Sequence, residues 1–233
     1  MARAATLKLP PRLAGRLDAS PLRSASADPA PAGGALRSWC LAALAGRLAE
    51  LSSREGAAGL TLAVSLVLGA PRAGEPVAWL TAGDSAFFPP DAARGGVDLD
   101  ALVVVRLPAA GQLPRAAEHL ARSGAFGLFV LDLGEAARVP VPMQMRLLGL
   151  AREHESAVLF LTRKRGGDAS LGSLVSLRAE AGQESAAGPA PAGEDAPRFG
   201  AGAFTCTARV LKDKRGGPGW RHVEVCRGPD GLC

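Results

Sequence analysis

Gly111-Gln112-Leu113-Pro114-Arg115-Ala116-Ala117-Glu118-His119-Leu120-Ala121-Arg122-Ser123-Gly124-Ala125-Phe126-Gly127-Leu128-Phe129-Val130-Leu131-Asp132 changes periodicity halfway along. Between Pro114 and Ser123, the apolar Ala117, Leu120 and Ala121 recur at the three- and four-residue spacing of one helix face. Gly124 follows, as a helix C-terminus often requires. Phe126 to Leu131 is then almost wholly apolar and ends at Asp132, which reads as a strand buried on both faces.

The same alternation extends in both directions. Upstream, Leu36, Trp39, Cys40 and Leu44 fit a short amphipathic helix, and Gly46 to Leu51 alternates as a strand does. Leu60 to Leu68 reads as a largely buried helix, with Val77 to Leu80 and Ala101 to Val105 as strands. Downstream, Pro142 opens a helix through about Glu155, and Ala157 to Leu161 is the next buried strand. Apolar strands alternating with amphipathic helices predict an α/β fold with a mainly parallel central sheet and helices on both faces. The last third differs. Leu174 to Leu177, Phe204 to Leu211 and Val223 to Cys226 are strands with no helix between them, so an antiparallel C-terminal extension is expected.

Of the 233 residues, 48% are hydrophobic, which suits one domain able to bury a sizeable core. Residues 1–34 are rich in Ala, Pro, Ser and Arg without apolar periodicity and are expected to form a disordered basic leader. Residues 35–233 form the core domain, with a mobile Gly-, Ala-, Pro- and Glu-rich loop at about 181–198. The net charge of +5 and pI near 9.5 invite a nucleic-acid reading. The leader, however, accounts for +3 of it through Arg3, Lys8, Arg12, Arg16 and Arg23 against Asp18 and Asp28, leaving +2 for the domain. That balance argues against a dedicated DNA-binding domain.

No apolar run approaches the roughly 20 residues of a membrane span, and the leader has no secretory apolar stretch. A cytoplasmic location is expected. Cys40, Cys206, Cys226 and Cys233 and the three histidines are scattered, so neither a metal site nor a disulfide framework is predicted. Trp79 lies inside a predicted strand and reads as core. Trp220 follows Gly216-Gly217-Pro218-Gly219 and reads as more exposed; Trp39 suits core or interface.

Three stretches in one order carry a family resemblance. Gly96-Val97-Asp98-Leu99-Asp100-Ala101-Leu102 resembles the G-V-D-x-D-x-L of RecA recombinases, and Gly111 to Asp132 resembles the segment leading to their Walker B aspartate. Arg209-Val210-Leu211-Lys212-Asp213-Lys214-Arg215-Gly216-Gly217-Pro218 resembles R-V-x-K-x-K-x-x-x-P. The resemblance covers about residues 46 to 228 and implies a RecA-like core of the P-loop NTPase type, without the family's extra C-terminal domain.

The ATP site is where the chain departs from that family. A RecA phosphate loop reads G-P-E-S-S-G-K-T-T: glycine lets backbone amides cradle phosphate, lysine meets its charge, and a hydroxyl holds Mg²⁺. The matching stretch is Ser53-Arg54-Glu55-Gly56-Ala57-Ala58-Gly59-Leu60-Thr61. Gly59 stands at the lysine position and Leu60 at that of the metal-binding hydroxyl. No lysine occurs between Lys8 and Lys164, so no shift of register restores one. The family's catalytic glutamate aligns with Asp84, one methylene shorter, and Asp132 keeps the Walker B position. Each lost charge-assisted contact removes roughly 1.5–3 kcal/mol. Glu55, Gly56, Gly59, Leu60, Asp84 and Asp132 therefore outline a degenerate nucleotide site, and neither cofactor nor hydrolysis is expected.

The resemblance also places the family's two DNA-binding loops. They shrink here to about Gly134–Pro142 and Lys164–Ser170, with Arg163, Lys164 and Arg165 as candidate phosphate contacts. Lys212 and Lys214 match lysines that in RecA filaments reach the neighbour's ATP; with Arg215 they are candidates for partner contact or plain surface charge. A RecA core with a degenerate phosphate loop and a basic leader resembles the ImuA family, RecA-like (also called SulA-like) accessory proteins of bacterial DNA-damage-induced mutagenesis. That resemblance implies binding to an ImuB-type Y-family polymerase relative and, through it, service to an error-prone C-family polymerase at lesions, with RecA itself as a further partner. The alternatives are a divergent RecA-type DNA-dependent ATPase, a DNA-binding module, and an inhibitor that caps RecA filaments.

Overall fold

The short apolar runs form strands because each can bury both faces. All six residues of β1 (Arg47–Ser52), β2 (Val77–Ala82) and β5 (Ala157–Thr162) are buried, the signature of strands covered on both sides. The computed structural model describes residues 38–54, 57–70, 75–83, 85–135, 138–185 and 203–227. The remaining elements are α1 (Leu41–Leu44), α2 (Ala57–Gly69), α3 (Pro89–Arg94), β3 (Leu102–Leu107), α4 (Leu113–Ala121), β4 (Leu128–Gly134), α5 (Val141–Glu153), β6 (Leu177–Ser185), β7 (Ala203–Asp213) and β8 (Arg221–Arg227).

One eight-stranded sheet runs in the order β3-β2-β4-β5-β1-β6-β7-β8. The first six in that order are parallel neighbours, while β7 and β8 run antiparallel. The expected α/β architecture and its antiparallel extension are therefore present. One core lies beneath α2, where Leu62, Leu66 and Val67 meet Leu51, Trp79 and Val130. The other lies beneath α4 and α5, where Leu113, Ala117 and Leu147 meet Leu48, Leu80 and Phe160. Trp79 is fully buried and stacks on Phe87 with ring centroids 3.9 Å apart. Trp39 is also core, donating its indole N–H to the Leu62 carbonyl at 3.3 Å, whereas Trp220 is half-buried.

Helix α4 ends at Ala121, and Gly124 takes the left-handed conformation (φ +65°) that closes the turn. A Cβ there would meet His154 Nδ1 at 2.9 Å, a second reason for glycine at this position. Several limits differ from the sequence reading: α1 begins only at Leu41, so Trp39 and Cys40 precede it, and β8 begins at Arg221. Leu174 lies in a turn, and β6 begins only at Leu177. The same strand continues through Ser185, into the stretch read as mobile, because Ala181 to Ser185 stay in antiparallel register with Ala208 to Phe204 and Ala181 is buried. The rest of that stretch, and residues 1–34, lie outside the described residues. Helix α3 was not expected; Pro89 and Pro90 occupy its first turn, where a missing N–H has no consequence. Among the described residues no helix is long and apolar enough to cross a membrane, and no group of three metal-ligating side chains is assembled.

The antiparallel extension is locked to β1 by a buried ion pair. Arg47 Nη2 lies 2.5 Å from Asp213 Oδ1, and both side chains are buried. The guanidinium also donates to Ser176 Oγ (2.9 Å), the Ser176 carbonyl (3.0 Å) and the Ala43 carbonyl (3.3 Å). Burial pushes the Asp213 carboxyl up, but the amides of Arg215 and Gly216 and the Arg47 guanidinium outweigh it, so its pKa falls below the ordinary value. A depressed carboxylate stabilises the fold above the unfolded pKa near 4, and that contribution is lost as pH falls through the lower native value. Replacing Asp213 with Ala should cost about 3 kcal/mol at neutral pH, because Arg47 is left buried without its counter-charge. Urea unfolding at pH 7 and near pH 3 should show the deficit shrinking at the acid end.

Candidate functional site

In a parallel sheet, the crevice outside the carboxyl ends of the strands is the usual place for a ligand. Here the ends of β1, β4 and β5 and the first turn of α2 enclose a cavity of about 420 Å³, lined among others by Ser53, Arg54, Gly59, Leu60, Asp132 and Arg163. Gly59 is buried in the first turn of α2, and a Cβ there would meet Ser53 Cβ at 3.2 Å. Leu60 is half-buried beside it, and Arg54 is exposed at the rim. At these two positions the wall carries hydrogen and an isobutyl group. Glu55, Gly56 and Asp84 lie outside the described residues.

Asp132 is half-buried at the end of β4, and its Oδ2 accepts a 2.6 Å hydrogen bond from Ser85 Oγ. Ser85 Oγ in turn accepts from the Phe87 amide at 3.1 Å, so the backbone before α3 orients the serine and the serine orients the carboxylate. The β4–β5 register shifts between Asp132 and Gly134, which swings the chain out at the crevice mouth. Gly59, Leu60 and Asp132 line one cavity.

The candidate phosphate contacts fare differently. Arg163 faces the same crevice, 4.0 Å from the exposed carboxylate of Glu135. Lys164 turns inward, its Nζ 3.3 Å from Glu50 Oε1 and 3.3 Å from the Ala169 carbonyl. Arg165 is exposed, with its amide bonded to Asp168 Oδ2 at 2.8 Å. The three cations thus point to three environments.

Glu50 is the residue that sequence reading overlooked. Fully buried on β1, it accepts from Thr162 Oγ1 (3.3 Å), Ser170 Oγ (2.9 Å) and the Leu171 amide (2.9 Å), and lies 3.9 Å from Arg178 Nε. Arg178, also buried, donates to the carbonyls of Asp168 and Arg165. Gln144 adds a brace, donating Nε2 to the carbonyls of Val139 (2.7 Å) and Leu171 (3.1 Å), and so joins the loop after β4 to the loop after β5. The signal available in the sequence was a lone acid in the apolar run Leu48-Ala49-Glu50-Leu51, since an ionised carboxylate is almost never buried without partners.

The proposed partner-contact cations engage their own chain. Lys212 Nζ lies 3.5 Å from the Gly172 carbonyl, and Lys214 Nζ donates to the Ser173 carbonyl at 2.6 Å. Burial, then the neighbouring Lys214, lowers the Lys212 pKa below the usual ammonium value. Arg215 donates to the carbonyls of Ala45 (3.1 Å) and Gly46 (3.4 Å), satisfying the chain end of α1.

No family model matches this chain. Over 95 residues, 41% of its length, it is 40% identical to Protein RecA of Nocardioides sp., 38% to that of Kineococcus radiotolerans and 37% to that of Leifsonia xyli subsp. xyli. The matched stretch spans 26–27% of each relative's own length, so the chain covers about a quarter of the curated relatives it matches. Similarity of sequence and the strand order together support a RecA-like relationship and a RecA-like core.

Exchanging Glu50 for Gln removes the charge that balances Lys164 and Arg178. The expected loss is about 3 kcal/mol in urea unfolding, with faster hydrogen exchange confined first to residues 163–172. Unchanged exchange there would show that Glu50 does not hold the loop.

Proposed function

We propose that this chain is a non-catalytic RecA-like adaptor in DNA-damage-induced mutagenesis, which takes a strand-forming segment of an ImuB-type polymerase relative onto the free edge of β3. The observation that carries this reading is that edge. Strand β3 ends the sheet and pairs only with β2 among the described residues, so it offers a row of backbone donors and acceptors. Val103 (42% exposed) on β3 and Leu99 (43%) just before it add exposed apolar side chains to that strand. Backbone pairing with adjoining apolar contacts is the chemistry of strand addition, and it asks nothing of a nucleotide.

The crevice supports the non-catalytic half of the reading. Phosphoryl transfer depends on positioned cations more than on covalent chemistry, and Gly59 and Leu60 supply neither cation nor hydroxyl. Through the bound polymerase relative the adaptor would serve an error-prone C-family polymerase at lesions, and the same edge would let it meet RecA itself. With Lys164 drawn onto Glu50 and Arg163 beside Glu135, direct DNA contact is the weaker role. A second reading, a divergent DNA-dependent ATPase, would rest on Asp132, which lines the crevice and whose Oδ2 accepts from Ser85 Oγ.

Biolayer interferometry against a purified ImuB-type protein separates these. Val103→Asp, which sets a charge on the docking edge, should weaken binding by about tenfold or more and leave thermal unfolding unchanged; Asp132→Ala should leave binding intact. Absence of association at micromolar concentration, or equal binding by Val103→Asp, contradicts the adaptor. Phosphate release stimulated by single-stranded DNA and abolished in Asp132→Ala would establish the ATPase instead.

A further inference from the structure

On the sheet face opposite α2, α4 and α5 leave between them a groove of about 600 Å³ lined by Arg115, Glu118, His119, Arg122, Met143 and Arg146. The spacing explains it: 115, 118, 119 and 122 fall on one face of α4, and 143 and 146 on the facing side of α5. Glu118, almost buried, is the floor. Its Oε1 accepts from Arg122 Nη2 at 2.7 Å, and its Oε2 lies 3.2 Å from Arg146 Nε. One carboxylate thus fixes two guanidinium groups whose outer faces stay in solvent, while Arg115 and His119 stand exposed beside them. Three arginines against one acid leave the groove with a surplus of two positive charges before His119 is counted. The hydrogen bond from Arg122 is the main force holding the Glu118 carboxyl below its ordinary pKa, so this pairing persists through neutral and mildly acidic conditions.

We propose that the α4–α5 groove is a docking site for a short acidic segment of a partner protein, with carboxylates on Arg115 and on the outer edges of Arg122 and Arg146 and an apolar side chain against Met143. Charge complementarity selects this occupant. Planar guanidinium groups held in place by Glu118 present the paired N–H geometry that a carboxylate accepts. A nucleic-acid strand fits less well, because α4 is only nine residues long, about 13 Å. It therefore offers room for few phosphates. The half-buried thioether of Met143 adds an apolar contact that a peptide side chain can use and a phosphate backbone cannot. This site lies on a sheet face and not at its β3 edge, and it does not rest on the adaptor reading.

The test uses the whole chain, immobilised, and a random library of about twelve-residue peptides, with single-stranded oligothymidylate of similar length as competitor. Enriched peptides should carry two or more Asp or Glu with an apolar neighbour, and should release in about 0.5 M salt. They should bind Arg115→Glu about tenfold or more weakly and Arg152→Glu, at the far end of α5, as well as the unaltered chain. Arg115 is exposed and among the described residues bridges no carboxylate, so this variant is expected to fold, and matching circular dichroism melts confirm it. Selection without acidic enrichment, or undiminished binding to Arg115→Glu, overturns the proposal. Oligothymidylate that displaces the peptides and binds more tightly would assign the groove to nucleic acid and also overturn it.

Discussion

A polyphosphate is held in water by fixed charge, and where the crevice at the ends of β1, β4 and β5 meets the first turn of α2 the wall presents a glycine and a leucine. Gly59 contributes a hydrogen and Leu60 a branched hydrocarbon, while the nearest cations, Arg54 and Arg163, stand at the rim and beside Glu135. A side chain on Gly59 would begin 3.2 Å from Ser53 Cβ, so the first turn of α2 lies close to the chain that leaves β1. The first turns of α2 are backed by apolar packing from Leu62, Leu66 and Trp79.

The charges that the chain retains are spent on rigidity. Glu50 gathers Lys164, Arg178, Ser170 and the Leu171 amide around one buried carboxylate, and Gln144 ties the preceding loop to the same point. Arg47 and Asp213 do the equivalent for the antiparallel strands. Buried pairs of this kind add little net stability compared with an apolar core but penalise their own disruption. They suit a platform whose loops keep one shape. Under the adaptor reading such a platform is what a partner needs, since strand addition at β3 gains from an edge that is already ordered.

Much of the fold was legible because its strands obey a simple rule. Runs such as Val77 to Leu80 and Ala157 to Leu161 are too short for helices and too apolar for a surface. The limits of β6 were not legible, since Gly182 and Glu184 look like loop residues and are held as strand only by pairing with β7, a partner far along the chain. In the site, Gly59, Leu60 and Asp132 were found by alignment to a motif and do share one cavity. The lone acid in the apolar run of β1 signalled a buried carboxylate, but its partners Lys164, Ser170 and Arg178 lie more than a hundred residues away and could not be named from the sequence. Arg163, Lys164 and Arg165 were read as one cluster, yet alternation along an extended chain sends neighbours in opposite directions.

Calorimetric titration of the purified chain with a non-hydrolysable ATP analogue and magnesium addresses the missing charge most directly. The expected trace shows no saturable heat up to about 1 mM nucleotide, corresponding to less than roughly 4 kcal/mol of binding free energy. A magnesium-dependent isotherm with micromolar affinity would mean that other groups have replaced the lost lysine, and would contradict the reading of this core as one that works without nucleotide.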